Sequence, residues 1–219
     1  EPLPCALPAP LHAMARVLTP LLTRDLADAL HAARVRGDAS WSGSLDLGRT
    51  REEVALGAEA WTWRGTEFPY PEGLKDRTIY HWDGEGFRAV SAYAGSLIKL
   101  VPTEWGAPTF EIDGIKMLPT ARTSPIDDAR RKVALVQPRG KALLDTCGGL
   151  GYFAACALED GAARIQSFEK NPSVLWLRTL NPWSPDPDDP ANGGRLQLTQ
   201  GDVSQAITSL PDAAFDAIL

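Results

Sequence analysis

Cysteine is scarce in this chain. Cys5, Cys147 and Cys156 form no C-x-x-C pair and are odd in number, which argues against a disulfide framework and fits a reducing compartment, the cytoplasm. Histidine is as thin: His12, His31 and His81 lie far apart, without metal-ligand spacing, so no metal site is expected. No apolar run approaches the roughly 18 residues of a membrane-spanning helix, so no membrane is expected as a partner. Glu1 to Pro10 hold four prolines and no basic residue, unlike a signal peptide. Basic charge is in deficit too: 22 Lys and Arg against 28 Asp and Glu leave a net −6. That argues against a protein-wide surface for nucleic acid and leaves a local basic patch open. No internal repeat is visible.

What remains is an ordinary globular composition, 44% hydrophobic and 23% charged over 219 residues, enough for one large domain or two small ones. Leu18, Leu22, Leu26, Ala29, Leu30 and Ala33 recur at helical spacing, with Pro20 near the start and Gly37 past the end, which predicts a helix over about residues 19–36. Residues 44–47, 53–56 and 60–63 then read as short strands parted by Gly48, Gly57 and Gly65, a small antiparallel meander. Four of the seven tryptophans fall between Trp41 and Trp82. They are expected to fill a compact core rather than to stack on a ligand. Strands at 78–82 and 87–92 flank an Asp83-Gly84 turn, and strands at 97–101 and 109–112 continue the sheet to an Asp113-Gly114 turn.

Residues 118–124 read as a linker. Pro125-Ile126-Asp127-Asp128 opens a helix running to about Gln137, whose Arg130-Arg131-Lys132 run is expected to face solvent. After Gly140, strands at 141–145, 164–169, 196–199 and 215–219 alternate with helices at 152–159, 173–180 and 203–210. A loop over 182–194 carries Asp186, Asp188 and Asp189, read as solvated acids. This alternation predicts α/β architecture: a Rossmann-like, doubly wound parallel sheet over 118–219 behind a small α+β domain over 1–117.

The strongest local signal is Asp145-Thr146-Cys147-Gly148-Gly149-Leu150-Gly151, which follows a predicted strand and opens a predicted helix. Glycines let a ligand press against the main chain, and the helix start adds exposed N–H groups. Asp145 stands where a dinucleotide fingerprint has its first glycine, and an acid there suits a cationic amino or sulfonium group rather than a pyrophosphate. Glu169, followed by Lys170, closes the next strand, where an acid can accept from both hydroxyls of a ribose. Asp202 ends the third strand. It can accept from an adenine amino group while Val203 packs on the ring, and it can equally cap the helix that follows. No acid-glycine loop occurs before Asp145, which places cofactor binding in the second half of the chain.

An acid-glycine loop, a ribose acid and an adenine acid at three successive strand ends describe an adenosyl ligand with a cationic tail. The constellation resembles the class I S-adenosylmethionine-dependent methyltransferase superfamily. More narrowly, the chain is similar to a group of predicted archaeal and bacterial methyltransferases with a small amino-terminal β domain. That likeness is carried by Lys99-Leu100-Val101-Pro102-Thr103, Ile112-Asp113-Gly114-Ile115-Lys116-Met117, the Asp145–Tyr152 loop, Glu169-Lys170-Asn171-Pro172, Asn181-Pro182-Trp183-Ser184 and Ser44-Leu45-Asp46-Leu47-Gly48. The resemblance implies S-adenosylmethionine as cofactor, held by Asp145, Thr146, Cys147, Gly148, Gly149, Gly151, Glu169, Lys170, Asp202 and Val203. Cys147 departs from it, replacing the first glycine of the loop, and reads as a small residue the turn tolerates rather than a nucleophile.

Two rivals stay open: an aminopropyltransferase of the spermidine-synthase kind, using the decarboxylated cofactor, and a non-catalytic adenosyl- or RNA-binding module. The methyl acceptor, whether small molecule, RNA or protein, is not legible, and self-association is open. The superfamily has seven strands, whereas the fourth here runs to Leu219. The chain also begins without Met and ends inside the apolar run over residues 215–219, so both ends are expected to be incomplete, with the catalytic residues beyond Leu219.

Overall fold

The first described helix starts later than its apolar period suggests. Leu21–Leu22 form a short strand, β1, and the Thr23 hydroxyl accepts the Leu26 N–H at 3.3 Å to cap α1 (Arg24–Arg36). Thr23 in an extended conformation and Asp25 in the first turn set the start, so residues 19–22 stay outside the helix. Gly37 closes it, as expected. The computed structural model describes residues 19–219; Cys5 and His12 lie outside them.

The meander forms as β2 (Ser40–Gly43), β3 (Glu52–Leu56), β4 (Ala60–Trp63) and β5 (Thr66–Pro69), antiparallel and in sequence order. Residues 44–47, expected as a strand, are instead a turn. The Asp46 carboxylate accepts from the Ser44 and Thr50 hydroxyls at 2.7 and 2.6 Å, and Ser44 Oγ accepts the Gly48 N–H at 2.7 Å. Side chains that satisfy nearby backbone and hydroxyl groups this way compete with a sheet ladder. Two of the four tryptophans are core: Trp61 and Trp63 are buried with Leu22, Leu30, Leu45, Val54 and Phe68, and Trp41 and Trp82 pack half-buried against them. Trp61 stacks on Phe68 at 4.9 Å and donates through Nε1 to the Pro69 carbonyl at 3.1 Å.

β6 (Tyr80–Trp82) and β7 (Phe87–Ala89) form the hairpin around Asp83, which accepts the Glu85 and Gly86 N–H groups. β8 (Ser91–Tyr93), β9 (Leu97–Val101), β10 (Thr109–Ile112) and β11 (Ile115–Lys116) follow. The strand expected over 87–92 is thus two. It divides at the buried Val90, whose N–H goes to Ile79 and whose carbonyl takes the Leu100 N–H, so that β7 pairs with β6 and β8 with β9.

Beyond residues 118–124 come α2 (Pro125–Val136), β12 (Ala142–Asp145), α3 (Tyr152–Glu159), β13 (Arg164–Glu169), α4 (Pro172–Leu180), β14 (Leu196–Gln200), α5 (Val203–Ala206) and β15 (Ala217–Ile218). The four strands are parallel, as the alternation predicts, in the order β14-β13-β12-β15, so the chain is a mixed α/β fold with β15 beside the first strand of its sheet. α5 is shorter than expected, giving way to a 3-10 turn at Ile207–Ser209. Neither piece buries a residue, and a helix without an apolar anchor has little to hold it in water. Arg130, Arg131 and Lys132 lie on the exposed face of α2, pairing with Asp127, Asp128 and Glu159.

One buried cluster joins Ile79, Ile98, Leu100 and Phe110 to Val133, Leu143, Leu150, Ile165 and Leu177, and so runs continuously from the antiparallel sheets into the parallel one. Among the described residues no helix is long and apolar enough to cross a membrane, and no cluster of His, Cys, Asp and Glu could hold a metal ion.

Candidate functional site

β12, β13 and β14 end side by side, and their carboxyl ends carry Asp145, Glu169 and, two residues past β14, Asp202. Parallel neighbours put these groups on one edge of the sheet, where open α/β folds form their ligand crevice. The loop from Thr146 to Gly151 rises from the same edge into α3. Thr146 is tied sideways to the strand beside it, its N–H and hydroxyl both donating to the Leu219 carbonyl at 3.1 and 2.9 Å. Gly148 donates its N–H to the Phe168 carbonyl at 2.7 Å.

Glu169 binds the loop directly. Its Oε2 accepts the Gly149 N–H at 2.9 Å and its Oε1 the Asn171 N–H at 2.8 Å. The two predicted elements, loop and ribose acid, are therefore brought together. Each carboxylate oxygen keeps a lone pair for a further donor.

Asp145 is buried. Oδ2 accepts the Ser167 hydroxyl at 2.7 Å, while Oδ1 has no hydrogen-bond partner among the described residues. Burial pushes its carboxyl above the usual carboxylate range, opposed by the Ser167 hydroxyl, the nearby positive charge of Arg178 and the Cys147 backbone N–H, which lies close enough to favour the charged form without making a full hydrogen bond. A buried acceptor left unmatched is costly and calls for a donor. Asp145 thus fits a group that brings its own N–H, such as an ammonium.

The remaining predicted residues are looser. Asp202 accepts the Ser204 N–H and hydroxyl at 2.9 and 2.7 Å, the helix-capping role weighed above, which holds its carboxyl below the usual range. Lys170 is exposed, with Nζ 3.9 Å from Asp202 Oδ2. Val203 is half-buried, and Cys147 is exposed with its thiol free. The second cysteine among the described residues, Cys156, is buried, and its thiol is pushed up to about 11 by that burial.

Sequence reasoning passed over Arg178. It lies on α4 three residues after Leu175 and four after Val174, both buried, and is itself 4% exposed. A charge on the apolar face of a helix is the signal that could have found it. Its guanidinium lies against the loop: a side chain at Gly148 would begin 3.1 Å from Nη1, and one at Gly151 only 2.5 Å from Nη2.

A second buried network locks the far end of the loop. Asn181 donates through Nδ2 to Tyr152 Oη at 3.0 Å and to Ser184 Oγ at 2.9 Å, and Ser184 donates to the Leu150 carbonyl at 2.7 Å. Tyr152 in turn donates to the Pro108 carbonyl at 2.8 Å, and Trp183 Nε1 to the Leu47 carbonyl at 2.9 Å. The Asn181–Ser184 run thus couples the loop to the antiparallel part of the chain. Tyr152→Phe is expected to cost about 1–3 kcal/mol, the scale for orphaning buried partners. Chemical denaturation checks it; an unchanged midpoint would show that the hydroxyl does not bridge these parts.

With this geometry in place, the chain can be set beside known proteins. No family model matches it. An uncharacterized protein of Methanocaldococcus jannaschii, MJ1233, is 40% identical over 138 residues, which are 63% of this chain and 45% of that protein. The chain therefore spans under half the length of this curated relative. Among solved structures, spermidine synthase from Thermotoga maritima is 18% identical with a TM-score of 0.45, over 58% of this chain and 44% of that one. The Pyrococcus horikoshii protein TYW2 in complex with MeSAdo is 15% identical with a TM-score of 0.36, over 65% and 47%. Both structural likenesses are remote and assign nothing to this chain.

Proposed function

We propose that the chain carries the cofactor-binding part of an S-adenosylmethionine-dependent methyltransferase of class I, with a Rossmann-like sheet from about residue 118 and a small α+β domain before it. The observation that carries the reading is the orphaned Oδ1 of the buried Asp145 beneath a glycine loop whose next neighbour is Glu169. The residues fit the cofactor: Asp145 offers an acceptor to its ammonium, the loop backbone a surface for its tail, and Glu169 free lone pairs to ribose hydroxyls. Asp202 and Val203 flank the adenine end, and the capping bonds of Asp202 leave Oδ2 facing only the distant Lys170 amine. When bound, the cofactor supplies an electrophilic methyl on a sulfonium. The protein's part is to hold that group in line with an acceptor, which by itself removes much of the entropic barrier.

Glu169→Ala is expected to weaken binding of S-adenosylmethionine by roughly 1–3 kcal/mol, the scale for a lost charge-assisted hydrogen bond. Isothermal titration of the wild type and the variant measures it. Equal affinities in two folded proteins would remove Glu169 from the site, and a wild type that binds no adenosyl ligand would refute the reading as a whole.

A further inference from the structure

Among the described residues, only four buried side-chain nitrogen and oxygen atoms lack a hydrogen-bond partner: Asp145 Oδ1 and Arg178 Nε, Nη1 and Nη2. All four belong to one place. They are of opposite charge, and they flank the same loop. Glu169, the other acid whose field reaches Arg178, accepts the Gly149 and Asn171 N–H groups and no bond from the guanidinium. Asp145 Oδ2 is taken by Ser167. Neither carboxylate gives the guanidinium a hydrogen bond, and burial depresses its pKa to about 10 while leaving it charged at neutral pH.

A buried cation with no acceptor is strongly unfavourable, since each unmade bond forfeits the hydration it had in the unfolded chain. Such a group is retained where something else completes it. An α-amino-acid group is a compact zwitterion, one ammonium and one carboxylate on a single carbon, and it presents one partner to each of these two orphans. A planar guanidinium is suited to a carboxylate, which it can meet with two parallel N–H donors.

We propose that Arg178 and Asp145 form a receptor for a zwitterionic α-amino-acid tail, Arg178 taking the carboxylate and Asp145 the ammonium, so that the site selects an adenosyl ligand with that tail intact. This rests on the adenosyl reading above and adds a specificity-determining residue to it. It also gives the rivals different expected ligands, because the decarboxylated cofactor of an aminopropyltransferase keeps the ammonium and lacks the group Arg178 would meet.

The test is a set of titrations with S-adenosylmethionine and with its decarboxylated form. Wild type should prefer the intact cofactor by roughly tenfold to a hundredfold, the fold-change for one charge-assisted hydrogen bond. Arg178→Met should erase that preference, the intact cofactor losing more affinity than the decarboxylated form, and Arg178→Lys should restore part of it. Asp145→Asn should weaken both forms, since both keep the amine. Equal loss of both forms in Arg178→Met would show that the arginine only props the loop and would overturn the proposal. If Arg178→Met does not fold, the wild type and Arg178→Lys decide: no preference in the wild type overturns it. Failure of the wild type to bind either form is a different result, and it refutes the adenosyl reading itself.

Discussion

Gly151→Ala is expected to lower both stability and cofactor affinity. Gly151 sits at φ +81°, a left-handed conformation that costs an L-residue roughly 1–2 kcal/mol. A β-carbon there would also lie 2.7 Å from Arg178 Cζ and 2.9 Å from Pro185 Cδ. Arg178 is buried and cannot retreat into water, so the methyl group must displace the loop or the arginine. Overpacking of this kind costs roughly 1–3 kcal/mol, and the two effects together suggest a loss of about 2–5 kcal/mol. Gly149→Ala is the natural control, because a β-carbon there meets nothing closer than 3.8 Å and only the backbone strain remains. Thermal melts of both variants, with and without S-adenosylmethionine, should show Gly151→Ala as the more damaged. The reverse order would mean that the arginine does not fill the space under the loop.

Trp61→Ala is expected to cost about 3–5 kcal/mol, the usual range for removing a fully buried large aromatic. Trp61 is the largest wholly buried side chain of the chain's described part and packs against Phe68 and Phe87, with its indole N–H matched to Pro69. For a chain of this length that corresponds to a fall in melting temperature of roughly 6–20 °C. The cluster around Trp61 is separate from the one beneath the loop. Affinity for S-adenosylmethionine in the still-folded variant should therefore stay within a few-fold of wild type. A large affinity loss at a temperature where the variant is folded would show that the Trp61 cluster is energetically coupled to the cofactor site.

The parallel sheet was legible because its strands and helices alternate at regular spacing. That Asp145, the glycine loop and Glu169 lie together was legible because neighbouring parallel strands end at one edge of their sheet. What sequence reading got wrong lies where side chains govern the backbone. Asp46 and Thr50 turn 44–47 into a bend, Thr23 moves the start of α1, and Val90 hands the chain from one sheet to the next. Arg178 went unread for a different reason. Its helix, Pro172–Leu180, reads as amphipathic, and only the arginine's place among Val174, Leu175 and Leu177 betrays its burial.

The hydrogen bonds from Tyr152 to Pro108 and from Trp183 to Leu47 make ligand seating and the order of the antiparallel segment linked quantities. A ligand that tightened the glycine loop would share that gain, through these bonds, with the backbone around residues 47 and 108. Linkage is reciprocal: a molecule that grips that backbone from outside changes cofactor affinity by the same factor that the cofactor changes its own. On the proposed reading, a ligand of the loop would therefore be felt in the antiparallel segment, with Asn181 at the junction.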